Sequence, residues 1–114
     1  MAQEIKSVEE FHNILDEAIQ NETYIVVDFY TTWCGPCKKL APVYAELAQD
    51  YADAKDESIK FLKVNVQTLD ELGEEYEISS IPTLKFFKGA HVNEAGGFYE
   101  KEDLQALVNK YNEE

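Results

Sequence analysis

A chain of 114 residues, 45% of them hydrophobic, is long enough for one domain with a proper core and short for two. Ten lysines and no arginine face 23 acidic residues, a net charge of -13, which argues against nucleic-acid or anionic-membrane partners. No apolar run approaches the ~20 residues of a membrane span, and neither MAQEIKSVEEF at one end nor NKYNEE at the other carries a leader, lipidation or retention pattern. The expected compartment is therefore the cytoplasm, where thiols are kept reduced. The acidic balance favours solubility and would steer partners with basic surfaces.

Gln3–Lys6 reads as a short extended start. Ser7-Val8-Glu9-Glu10 is a capping-box pattern, and Val8, Phe11, Ile14, Leu15, Ala18 and Ile19 recur at helical spacing up to a stop at Asn21. Tyr24–Tyr30 (YIVVDFY) is β-branched, aromatic and almost continuously hydrophobic, which predicts a central strand covered on both faces. Asp28 alone breaks it. A second helix begins about Cys34 and carries Leu40, Val43, Tyr44, Leu47, Ala48 and Tyr51 on one face, with Pro42 inside and a kink expected there.

Asp53–Ser58 reads as a loop and Ile59–Asn65 as a strand. Thr68-Leu69-Asp70-Glu71 is a second capping-box pattern opening a short acidic helix to about Tyr76. Its five acids, Asp70, Glu71, Glu74, Glu75 and Glu77, read first as a solvated face. Ser79–Pro82 reads as a turn. Thr83–Lys88 and Val92–Ala95 form a hairpin about Lys88-Gly89-Ala90-His91, and Gly96-Gly97 break it. Lys101–Tyr111 is a last helix with Leu104, Leu107, Val108 and Tyr111 inward. The order predicts an α/β domain over 1-114: a central mixed sheet of about five strands flanked by four helices, with right-handed crossovers and an antiparallel closing hairpin.

Both cysteines lie in TTWCGPCKKLAP, Thr31 to Pro42. Zinc needs four Cys or His ligands, and only the isolated His12 and His91 are available beside the pair, so no metal is expected. A disulfide across two residues closes a loop too small to staple a fold. An inert buried pair remains open. Thiol–disulfide chemistry explains more of the surroundings. Cys34 falls at a helix N-terminus, where unpaired N–H groups and the helix dipole favour a thiolate. Gly35 suits a tight turn and Pro36 the first helical turn, where a missing N–H is harmless. Cys37, one turn further in, is expected to be less exposed. Cys34 then reads as the attacking thiol and Cys37 as the resolving one.

WCGPCK, Trp33 to Lys38, resembles the active-site signature of the thioredoxin family. The resemblance runs on through Val27-Asp28-Phe29, Pro42, Lys63 in FLKVN, Ile81-Pro82-Thr83, Phe86-Phe87-Lys88-Gly89 and Gly97, and so covers essentially the whole chain. It implies that Asp28 accepts a proton from Cys37, that Lys63 tunes Asp28, and that Pro82 is cis and faces the cysteines. With Pro82 cis, the Ile81 backbone would pair with an extended substrate. Trp33, Ser80, Ile81 and Gly97 would meet that substrate, with Trp33 also shielding Cys34. A carboxyl in a central strand is costly to ionise, so Asp28 should titrate high, as a proton acceptor requires.

The sequence departs from the family pattern in places. Tyr30 stands where many members have Trp, YADAKDESIK is longer than the bacterial form, and KGAHVNEAGG is shortened, which blurs the assignment of Gly96 and Gly97. Glu100 takes the cap position of the last helix, where Ser or Asp would serve better.

The resemblance implies a protein-disulfide reductase and electron carrier in cell redox homeostasis. It would be a monomer acting on disulfide-containing proteins. No cofactor would be bound, because the chain lacks a dinucleotide-binding glycine fingerprint. NADPH would be used by a separate thioredoxin reductase. The rivals are a disulfide oxidant or isomerase on the same fold, and a binding module in which the cysteines are incidental.

Overall fold

The computed structural model describes all residues from Met1 to Glu114. Along the chain run β1 (Ala2–Glu4), α1 (Val8–Asn21), β2 (Tyr24–Tyr30), α2 (Gly35–Asp53), β3 (Ile59–Asn65), α3 (Asp70–Glu75), β4 (Thr83–Lys88), β5 (His91–Gly96) and α4 (Lys101–Asn112). The strand order across the single sheet is β1-β3-β2-β4-β5. β3 is parallel to both β1 and β2, whereas β2–β4 and β4–β5 are antiparallel. This is the mixed five-stranded sheet with four helices that the sequence order implies.

β2 lies at the centre because its side chains can be covered on both faces. Successive residues of a strand point to opposite sides. Tyr24 and Val26 join a core built with Leu40, Tyr44, Leu47 and Ala48 of α2 and Leu104 and Val108 of α4. Ile25, Val27 and Phe29 join the opposite core with Phe11 and Ala18 of α1 and Leu72 of α3. In the second core Phe11, Phe29, Tyr76 and Phe87 meet edge to face or tilted, with centroids 5.5 to 6.4 Å apart.

The helix ends show where local pattern decides and where it does not. Ser7 caps α1 by accepting the Glu10 N–H at 3.1 Å. Glu10 reaches back past the cap residue and takes the Lys6 N–H at 2.6 Å. The second expected box does not form. Leu69 is the cap residue of α3 and gives no side-chain hydrogen bond, while Thr68 Oγ1 donates to the Asn65 carbonyl at 3.3 Å. Asn65 also takes the Thr68 and Leu69 N–H groups on its carbonyl and the Gln67 N–H on its side chain, so this turn is organised from the end of β3. Ile19 is 63% exposed instead of inward; Ala18 is the buried residue of the last turns of α1, with Ile14 and Leu15 packed against the same core. β1 begins one residue earlier than expected and ends at Glu4. α2 continues unbroken through Pro42 to Asp53, which is helical and not part of the loop. Glu100 provides no side-chain cap for α4.

Tyr44 ties α2 to the sheet. Its ring is fully buried, and its hydroxyl oxygen lies 2.7 Å from the Leu62 carbonyl and 3.0 Å from the Val26 carbonyl, one on β3 and one on β2. A single hydroxyl proton serves one of them at a time. Replacing Tyr44 by Phe keeps the ring and removes the donor, and should cost about 1–2 kcal/mol. Urea unfolding is expected to show a lower midpoint with an unchanged slope; an unaltered midpoint would mean that the hydroxyl contributes nothing to holding α2 on the sheet.

Candidate active site

The cysteine loop follows from the end of β2 and the start of α2. Cys34 is the N-cap of α2, with extended backbone, and Pro36 occupies the first turn. The cap is completed by sulfur: Cys34 Sγ accepts the Cys37 N–H at 3.1 Å, and the Cys34 carbonyl accepts the Lys38 N–H at 3.1 Å. An N-cap side chain that receives an unpaired N–H of the first turn is stabilised when it carries negative charge. Cys34 and Cys37 are joined as a disulfide with their Cα atoms 5.2 Å apart. Their residues are 6% and 3% exposed, so both are nearly covered, Cys34 the less so. Gly35 has no left-handed backbone angle, and a Cβ there would meet nothing within 4 Å. The turn itself therefore does not require glycine; what Gly35 leaves is open space beside Cys34.

A second loop comes against the first. The Ile81–Pro82 peptide is cis, and Pro82 is buried. Cys34 Sγ lies 3.8 Å from the Ile81 carbonyl oxygen, across a sequence separation of 47. The loop is held at both ends: Thr83 Oγ1 donates to the Ser80 carbonyl at 2.5 Å, and the Gly97 N–H donates to the Pro82 carbonyl at 3.0 Å. Gly97 has φ 89°, a conformation that favours glycine, and this separates it from Gly96, which has no such angle. Ser80 is exposed and Ile81 half-buried. Trp33, 67% exposed, stands directly before the disulfide. Trp33, Cys34, Ile81, Pro82 and Gly97 thus belong to one continuous region built from the β2–α2, α3–β4 and β5–α4 connections.

Asp28 is 1% exposed, and its Oδ1 has no hydrogen-bond partner. By strand alternation it projects to the α2 side of the sheet, the same side as Tyr24 and Val26. Burial pushes its carboxyl up to about 7; Lys63 on the neighbouring strand works against this and Glu4 works with it. Lys63 pairs in register with Asp28, and its Nζ lies 4.6 Å from the centroid of the Tyr30 ring. The Tyr30 hydroxyl donates to Glu4 Oε1 at 2.7 Å. In the sequence nothing marks Glu4 as part of the site, and Tyr30 stands out only as a departure from the family pattern. Glu4 lies in the extended start read over Gln3–Lys6, but which groups it meets depends on strand register. Thr31, next in the chain to Tyr30, is 4% exposed and its Oγ1 is unpartnered.

No three His, Cys, Asp or Glu side chains gather as a metal-binding group. His12 instead pairs with Glu75 at 2.7 Å, linking α1 to α3, and His91 is exposed in the hairpin. No helix is long and apolar enough to cross a membrane.

The thioredoxin family profile matches residues 4–110. The chain is 43% identical to thioredoxin of Mycoplasmoides gallisepticum over 95 residues, which span 82% of this chain and 90% of that one. It is 37% identical to thioredoxin of Callithrix jacchus over 112 residues, or 97% and 99% of the two chains. A solved structure of Plasmodium falciparum thioredoxin superposes with a TM-score of 0.78 at 33% identity, covering 96% of this chain and 98% of that one. Likeness on this scale takes in the sheet, both cores and the cysteine loop together, and the chain belongs to the thioredoxin family, with a redox-active cysteine pair and protein-disulfide oxidoreductase activity.

Proposed function

We propose that the 114 residues work as one monomeric domain in the cytoplasm, carrying electrons from a separate NADPH-dependent flavoprotein, thioredoxin reductase, to disulfides of other proteins. The observation that carries this reading is the Cys37 N–H on Cys34 Sγ at the first turn of α2. In the reduced protein the same donor and the helix N-terminus would favour the Cys34 thiolate, the nucleophilic form. Trp33 and the open space at Gly35 leave room for a protein substrate, and the Ile81 backbone offers a strand-like partner to its chain.

The cycle balances in two exchanges. The Cys34 thiolate attacks one sulfur of the target disulfide, forms a mixed disulfide and releases the other target sulfur as a thiolate, which takes up a proton. Cys37 then loses its proton to the Asp28 carboxylate and attacks Cys34 Sγ. The target's second sulfur leaves, and the Cys34–Cys37 disulfide remains. Two electrons have passed to the target. Asp28 suits the acceptor role because a carboxyl near 7 can both take and return a proton at neutral pH. Lys63 moderates it. Two further electrons from the reductase restore the dithiol.

Cys37→Ser should stall this cycle at the first exchange, leaving a mixed disulfide through Cys34 that mass spectrometry detects after mixing with a disulfide protein; Cys34→Ser should form none. The reduction potential of the pair, read by thiol trapping in defined dithiol buffers, is expected near the family's reference value of about −270 mV. A value near −180 mV, where protein disulfide isomerase lies, would move the reading to an isomerase or oxidant.

Asp28→Asn gives a second test with two readouts. The resolving exchange should slow relative to wild type above about pH 7, where Asp28 is ionised, and the two proteins should converge at lower pH. Stability should change in the opposite sense. A carboxyl at about 7 when folded and 3.8 when unfolded holds its proton better in the native state. Its contribution is full below the unfolded value and is lost as pH rises through the folded one. The stability gained by the Asn variant should thus be small near pH 4 and grow to a few kcal/mol, at most ~4, by pH 8. Parallel urea curves at the two pH values would refute the buried-carboxyl account.

A further inference from the structure

Three strands place three charged side chains in one row. β1, β3 and β2 are parallel neighbours, and their registers pair Glu4 with Lys63 and Lys63 with Asp28. Paired residues in register project to the same face. The row therefore reads acid, base, acid from the sheet edge inward. Asp28 is its buried end, and Lys63 and Glu4 are half-buried. Tyr30, two residues beyond Asp28, shares this face and reaches back over the row. Its ring lies against Lys63 Nζ at 4.6 Å, and its hydroxyl holds Glu4 Oε1 at 2.7 Å. None of the structure's four ion pairs involves Lys63, so its ammonium is not committed to Asp28.

We propose that Glu4 and Tyr30 are positioning residues for Asp28: Tyr30 fixes the Glu4 carboxylate beside Lys63, and Glu4 offsets the lysine's charge as Asp28 experiences it. The electrostatics follow in sign. A nearby cation favours the ionised carboxylate and a nearby anion opposes it. Lys63 lowers and Glu4 raises the Asp28 carboxyl, on top of the larger effect of burial. The groups that face Asp28 can be named element by element. In the disulfide form, where Cys37 does not titrate, they are Glu4 from β1, Lys63 from β3, Tyr30 from its own strand and Tyr44 from α2, while its β4 partner is the uncharged Leu84. Without Glu4, Lys63 would act unopposed and Asp28 would stay ionised to lower pH. Tyr30 is where this chain departs from the Trp of many family members, and an indole in place of the phenol would present a different donor in a different place.

The inference rests on Asp28 as the proton acceptor for Cys37, but its first measurement does not depend on that role. The Asp28 carboxyl would be titrated by 13C NMR in the wild type, Glu4→Gln and Tyr30→Phe, all checked for folding by circular dichroism. In Glu4→Gln the Asp28 midpoint should fall by about half a pH unit to one pH unit, the size expected for one charge two strand spacings (~10 Å) away and half-exposed. Tyr30→Phe keeps the ring over Lys63 and should shift the midpoint the same way by less. The pH profile of mixed-disulfide resolution should move with the carboxyl. A purely structural tether between β1 and β2 would lower the urea midpoint and leave the Asp28 titration in place; that result in Glu4→Gln, or in Tyr30→Phe if Glu4→Gln does not fold, overturns the proposal. If instead the carboxyl shifts while neither these variants nor Asp28→Asn alter the rate profile, the coupling stands and the proton-acceptor reading of Asp28 fails.

Discussion

A central strand covered on both faces must be apolar on both faces, and β2 meets that demand at every position but one. Its alternate side chains feed the two cores, which is why α2 and α4 collect on one side of the sheet and α1 and α3 on the other. The exception, Asp28, falls on the α2 side near the strand's end. A carboxyl there is shielded from water by the same packing that fixes the strand, and burial is the largest cause of its raised titration. Thus the packing that stabilises the domain also sets the proton affinity of its most deeply placed acid.

The cysteine loop depends on this strand in a second way. β2 ends and α2 begins within a few residues, so the first N–H groups of a long helix open directly onto Cys34. Tyr44 anchors that helix to the carbonyls of β2 and β3. The sulfur that caps the helix is then a fixed point and not a loop side chain free to wander. Fixed reacting groups need little reorganisation when they react. The cis-Pro82 loop, bonded to Gly97 at one end and folded onto Thr83 at the other, completes the site from the opposite side.

The charged row from Glu4 to Asp28 joins these features to the sheet edge. β1 is only three residues long, yet it brings Lys63 a second carboxylate, opposite the one that β2 supplies at Asp28. Its pairing with β3 thus has an electrostatic consequence besides closing the edge. Tyr30 holds the arrangement together, since its hydroxyl is what the Glu4 carboxylate accepts from.

Much of this was legible in the residues because it is local. The spacing of Cys34 and Cys37 places both in one turn. Pro36 and the apolar spacing from Leu40 onward mark a helix beginning there, and YIVVDFY suits a covered strand with one misfit acid. The Thr68–Glu71 box misled because the Asn65 side chain and carbonyl, at the end of β3, took the N–H groups of that turn. Ile19 misled because helical periodicity says which residues share a face but not how far along the helix that face stays covered. By itself, the sequence determined the elements and the buried acid, which follow from the periodicity and spacing of neighbouring residues, and the redox pair, through the resemblance of WCGPCK and the segments around it to the thioredoxin family. Only the tertiary structure decided which distant groups meet: Ile81 against Cys34, Gly97 against Pro82, and Glu4 and Tyr30 around Lys63. Those contacts depend on strand register and loop closure, where a shift of one residue turns a side chain to the other face.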